Sequence, residues 1–230
     1  IYILLLSSTL LSNFLYSSND DHDHCDSSDV NTNERSFTNN FSGTFNGKKV
    51  NYIASLKEKI LYEKDNPDEP MASFFYTEYI VDGDKNRPII FSFNGGPGSA
   101  SLWLHMGVLG PKIIKVPSDA SDDGSPPYNI IDNKLSPLSD ADLVFIDPIG
   151  TGYSRAIGCH NGEEFWGVNE DPKIIAEFIR RWISDNNRWN SPRYILGESY
   201  GGIRGPLLVS ELRSGDITPI EVNGLSLIHI

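Results

Sequence analysis

The chain has 230 residues, 39% of them hydrophobic and 22% charged, enough for one globular domain with its own core. Its formal net charge of −12 argues against nucleic acid as a partner, because phosphate recognition needs a basic face. Two cysteines, Cys25 and Cys159, are too few for a disulfide framework and leave one bridge or two free thiols open.

Residues 1–15 are mostly apolar and uncharged. That run is too short to span a bilayer, so residues 1–17 read as the remnant of a secretory signal peptide. A secreted or extracytoplasmic protein follows from it, with no stable membrane insertion. Residues 18–40 are polar and acidic and predict a disordered linker before a domain over 41–230. Within the linker, Asp21-His22-Asp23-His24-Cys25 has metal-ligand chemistry. No second ligand cluster supports it, so a solvated tail is expected and no metal. Asn40-Phe41-Ser42 is a glycosylation sequon.

Two β-rich stretches, 50–62 and 72–81, flank the turn residues Asp65-Asn66-Pro67-Asp68 and predict an antiparallel hairpin. A buried strand over 88–93 then runs into Asn94-Gly95-Gly96-Pro97-Gly98. A second apolar strand, 143–146, ends at Asp147-Pro148. Helical spacing of Ile174, Ile175, Phe178, Ile179 and Trp182 predicts a helix over 172–189, with Asp171 as its N-cap. A strand at 193–196 leads into Gly197-Glu198-Ser199, a helix at 203–212 follows, and 220–227 reads as the next strand. Alternating strands and helices predict an α/β fold with a mostly parallel sheet.

Gly197-Glu198-Ser199-Tyr200-Gly201 matches G-x-S-x-G, the strand-to-helix elbow that holds a nucleophilic serine exposed in strained backbone geometry. The helix N-terminus beneath it favours developing negative charge, and the Tyr200 N–H is the oxyanion donor that such an elbow supplies. The glycines after the 88–93 strand let backbone N–H groups turn toward one point, as the second oxyanion donor requires.

Three blocks carry a family resemblance: Asn94-Gly95-Gly96-Pro97-Gly98-Ser99, Gly150-Thr151-Gly152-Tyr153-Ser154 and Gly197-Glu198-Ser199-Tyr200-Gly201-Gly202. In this order they resemble the hallmark blocks of the serine carboxypeptidases. The likeness runs from about residue 42 to 228, and Phe165-Trp166-Gly167-Val168 with Arg188-Trp189-Asn190-Ser191-Pro192 resembles the bacterial branch. It implies an α/β-hydrolase fold. Ser199 would be the acylated nucleophile, Gly96 and Tyr200 the oxyanion hole, and Asn94 with Glu198 the binding pair for a peptide's C-terminal carboxylate. No cofactor is implied, and sharing one proton between two carboxyl groups favours acidic pH.

Departures from the family pattern bear on substrate preference: Ser92 stands where Trp is frequent, Ser99 where many eukaryotic members have Cys, and Ile203-Arg204 replace an aromatic or His pair. Asp147 reads as a structural strand-end acid. A serine needs a base and an acid, in this fold ordered Ser, acid, His. After Ser199 come Glu211, Asp216, Glu221 and only His229, while His105 and His160 precede it. The resemblance implies that the acid and His follow the elbow at greater distance, so the sheet is expected to be truncated and these 230 residues alone inactive. Acyl transfer or ester hydrolysis on the same scaffold, and a non-catalytic binding protein, remain the competing readings.

Overall fold

The computed structural model describes Ser27 and residues 30–116, 126–214 and 218–228. Strands β1 (Ser36–Phe45), β2 (Lys48–Tyr62) and β3 (Pro70–Val81) form an antiparallel meander. Strand β4 (Ile89–Phe93) precedes a single turn α1 (Leu102–Leu104), which passes into a π-helical turn over His105–Leu109. A small hairpin pairs β5 (Lys112–Ile114) with β6 (Ile130–Asp132). Then come β7 (Asp142–Ile146), β8 (Arg155–Ala156), α2 (Glu170–Asp185), β9 (Arg193–Glu198), α3 (Gly201–Ser214) and β10 (Gly224–Ile228).

The main sheet has the order β1-β2-β3-β7-β4-β9-β10, with β8 beside β3. Strands β7, β4, β9 and β10 are mutually parallel, so the expected α/β-hydrolase arrangement holds. The expected antiparallel hairpin is β2–β3, and a third strand, β1, extends it. The expected linker over 18–40 is corrected accordingly: residues 36–40 lie in β1. Every β1 residue except Gly43 and Phe45 is exposed, so backbone pairing with β2, not burial, holds this strand. Its register is set by a two-residue turn in which Asn46 and Gly47 both have positive φ, 48° and 78°, the favoured hairpin geometry. The expected leader and the Asp21–Cys25 run lie outside the described residues.

Side chains alternate between two cores. Val144, Ile146, Phe91, Phe93 and Ile195 pack against α2 and α3, while Leu143, Phe145, Ile90 and Leu196 join Leu104 and Leu138 on the other face. Strands buried on both faces read as continuous apolar runs, which is how β4, β7 and β9 announce themselves. Helix α2 is shorter than expected. Asn187 takes a left-handed φ of 55°, and the Arg188 and Asn187 N–H groups bond back to the Ile183 and Ser184 carbonyls at 2.8 and 3.1 Å. This C-terminal motif ends the helix at Asp185. Asp171 is inside the first turn of α2, where Asn169 holds the N-cap position. The last strand begins at Gly224, not 220; Ile220 instead enters the core and bonds to Leu212.

The end of the sheet where the parallel strands begin is tied by Asp142. Its carboxylate accepts from the Val81 N–H at 3.0 Å, Arg87 Nε at 3.2 Å and Arg188 Nη1 at 2.7 Å. Arg188 also donates to Ser191 Oγ and the Arg87 carbonyl, both at 2.7 Å. Removing one partner of such a network strands the others as buried, unpaired charges. Asp142→Ala is therefore expected to destabilise the complete gene product carrying this chain by about 3–5 kcal/mol, read as a lowered urea midpoint. An unchanged midpoint would contradict the account.

Candidate active site

Neighbouring strands β4 and β9 are parallel, with Ser92 opposite Leu196 and Phe93 opposite Gly197. Continuing that register by one residue sets Asn94 beside Glu198. Asn94 Nδ2 donates to Glu198 Oε2 at 3.0 Å, and Asn94 Oδ1 accepts from the Leu104 N–H at 3.1 Å. Asn94 is fully buried. Glu198 Oε1 is also buried and has no hydrogen-bond partner among the described residues.

Immediately after Glu198 the chain turns. Ser199 has φ 57° and is exposed, so the elbow geometry expected from the sequence is present. Its N–H bonds to the Ile228 carbonyl at 3.0 Å and its carbonyl accepts from Gly202 N–H at 2.8 Å. Helix α3 thus starts directly beneath the serine. The glycine loop packs against this elbow. A Cβ on Gly95 would sit 2.4 Å from the Tyr200 nitrogen and 2.6 Å from the Glu198 carbonyl oxygen, so only glycine allows the two loops to touch. Gly96 follows at φ 109°. Among the described residues, neither the Gly96 nor the Tyr200 N–H has a backbone acceptor. The five residues singled out in the sequence, Asn94, Gly96, Glu198, Ser199 and Tyr200, are therefore brought to one edge of the sheet.

The third block reaches the same edge. Between β7 and β8, residues 147–154 make an excursion that closes on Phe75: the Asp147 N–H donates to the Phe75 carbonyl at 3.2 Å and Ser154 Oγ accepts from the Phe75 N–H at 2.8 Å. A cleft of about 340 Å³ lies between this excursion and the glycine loop, lined by Pro97, Gly98, Ile149, Thr151, Trp166 and Arg204 among others. Asp147 accepts from the Ser101 N–H at 2.8 Å, and burial pushes its carboxyl up against that bond. It braces the start of α1, as a structural acid would.

The two described histidines are engaged elsewhere. His160 lies between Glu63 at 3.2 Å and Glu164 at 2.7 Å. His105 is in the π-helical turn, 2.6 Å from the Tyr79 hydroxyl and stacked on Phe145 at 4.6 Å. Glu211 lies in α3, while Asp216 and His229 fall outside the described residues. Cys159 is disulfide-bonded; Cys25, the only other cysteine in the sequence, lies outside the described residues. The described residues contain no group of three or more potential metal ligands and no helix long and apolar enough to cross a membrane.

One pair escaped the sequence reading. Arg204 on α3 is 2% exposed and donates from Nε to Asp171 Oδ2 at 2.6 Å and from Nη1 to the Asn94 carbonyl at 2.7 Å. Burial pushes the Asp171 carboxyl up, and Arg204 opposes the shift. The only signal was that Ile203-Arg204 departs from the family pattern.

The family model described as serine carboxypeptidase matches residues 53–227. The chain belongs to the serine carboxypeptidase family. Among similar proteins is serine carboxypeptidase-like 9 of Arabidopsis thaliana, 28% identical over 192 residues, which cover 77% of this chain and 42% of the relative. Serine carboxypeptidase-like 12 of the same plant is 30% identical over 165 residues, 68% of this chain and 36% of the relative. The chain thus spans less than half the length of these relatives. A crystal structure of Kex1(delta)p, a prohormone-processing carboxypeptidase from Saccharomyces cerevisiae, superposes with a TM-score of 0.54 at 20% identity. That match covers 76% of this chain and 38% of the yeast one, and it bears on the fold.

Burial drives the His105 pKa down to about 4, below the ordinary value of about 6.5. Protonation then favours the unfolded chain, so the His105 contribution is intact above pH 6.5 and is lost as pH falls toward 4. The loss amounts to at most about 3 kcal/mol. In urea titrations, His105→Phe should flatten the decline in midpoint across that window. Parallel profiles for parent and variant would contradict it.

Proposed function

We propose that the complete protein carrying this chain is a serine-type carboxypeptidase that releases C-terminal amino acids through an acyl-enzyme. The observation that carries this reading is the Asn94–Glu198 pair, 3.0 Å apart, with Glu198 Oε1 buried and, among the described residues, unpartnered beside Ser199. An unsatisfied buried carboxyl oxygen is costly, and a peptide's C-terminal carboxylate satisfies it when the two groups share one proton. Acidic pH then favours binding.

With the carboxylate held there, Ser199 Oγ attacks the scissile carbonyl and its proton passes to a base. No described residue is assigned that role, since His105 and His160 hold other partners. The carbonyl oxygen gains negative charge, which the Gly96 and Tyr200 N–H groups and the α3 N-terminus stabilise. The C–N bond breaks, the amino acid leaves with a proton on its amine, and water hydrolyses the acyl-serine. No cofactor takes part. The apolar 1–15 segment and the disulfide at Cys159 support an oxidising, secretory destination.

A fluorophosphonate should label Ser199 in the complete gene product, and Ser199→Ala should abolish both labelling and peptide turnover. Labelling elsewhere with Ser199→Ala still active would sink the assignment. Comparing a blocked dipeptide with a simple ester tells peptidase from esterase. Glu198→Gln keeps a donor but no titrating proton, so it should weaken the acidic preference for free-carboxylate peptides. A pH profile identical to the parent's would remove Glu198 from that role.

A further inference from the structure

We infer that Arg204 is a positioning residue for the carboxylate-binding pair, fixing Asn94 and through it Glu198; this rests on the carboxypeptidase reading above. The β4–β9 ladder ends at Phe93 and Gly197, so the Asn94 carbonyl has left the sheet and needs a donor. Arg204 Nη1 supplies it at 2.7 Å. The guanidinium carbon lies 5.3 Å from the Phe93 ring centroid and 5.4 Å from that of Tyr200. It is therefore wedged between the residue before Asn94 and the residue after Ser199.

Placing a cation at this point is expensive, and an apolar side chain of similar volume would often be no worse for stability. Asp171, 2.6 Å away, neutralises the charge but leaves its purpose open. What an apolar residue cannot supply is a rigid fork of donors aimed along two directions. One arm is spent on Asp171, and the other sets the Asn94 peptide. That peptide determines where the Asn94 side chain goes. Its Oδ1 is taken by the Leu104 N–H at 3.1 Å, so its Nδ2 must face Glu198 Oε2 at 3.0 Å. Both amide ends are committed, and the amide cannot turn over without losing both bonds. The free Glu198 Oε1 thus stands where it does because three hydrogen bonds in series hold it, beginning on α2 at Asp171. Lysine would keep the charge beside Asp171, yet its compact ammonium lacks the planar fork that spans both acceptors.

The test uses the complete gene product as parent, Arg204→Lys and Arg204→Met. Affinities for N-acetyl-L-phenylalanine and for its amide are measured by calorimetry, beside KM and kcat on a free-carboxylate peptide and the rate of fluorophosphonate labelling. Arg204→Lys should weaken binding of the acid roughly tenfold and raise KM more than it lowers kcat. Amide binding and labelling should fall by less than acid binding. Arg204→Met should lose more, so lysine is a partial rescue; should the methionine variant not fold, the lysine variant decides alone. Equal losses for acid and amide would make Arg204 merely structural and overturn the inference, as would parental affinity for the acid in Arg204→Lys. A parent that binds neither ligand overturns it too. A parent that binds the acid but takes no label at Ser199 refutes the nucleophile assignment, while the affinities still decide the role of Arg204.

Discussion

Strands β4 and β9 lie side by side, parallel and in a register that pairs Phe93 with Gly197. Everything at the candidate site inherits its position from that alignment. One residue further along each strand come Asn94 and Glu198, and two further come Gly95 and Ser199. A one-residue slip would exchange the faces of the sheet and separate the amide from the carboxyl group. The close approach of Gly95 to the Tyr200 nitrogen then locks the two loops together where the sheet can no longer do so. Hydrogen bonding aligns the strands, and the missing side chain at Gly95 lets that alignment continue past their ends.

The two ends of the parallel strands solve different problems. At one end Asp142 gathers the Val81 N–H and two arginines into one network. At the other end polar atoms are left open: Glu198 Oε1 is buried and unpartnered, and the Gly96 and Tyr200 N–H groups have no backbone acceptor among the described residues. Buried polar groups are normally paired. Glu198 Oε1 is an exception, and it lies beside an exposed serine and the N–H groups of exposed Gly96 and half-buried Tyr200.

Much of this was legible in the sequence. Strands buried on both faces give uninterrupted apolar runs, and β4, β7 and β9 were found that way. The elbow and the glycine loop carry their conformational requirements in residue type, because positive φ at Gly96 and close contact at Gly95 need glycine. Strand β1 was missed because its side chains are exposed and show no burial pattern, although Asn46-Gly47 was a hairpin signal in plain view. The end of α2 was overshot because a left-handed Asn187 stopped a helix whose composition did not. Arg204 and Asp171 stand 33 positions apart, and no local periodicity encodes a pair formed only when α2 and α3 pack together.

The left-handed backbone at Ser199 has an evolutionary consequence. For a residue with a Cβ, φ 57° costs about 1–2 kcal/mol, which glycine would not pay. Mutation toward glycine at this position is therefore rewarded by stability alone. A lineage with no use for the hydroxyl would have a thermodynamic slope to descend and nothing to hold it back. Serine at this point is a standing expense, and its presence here means that the slope has not been followed.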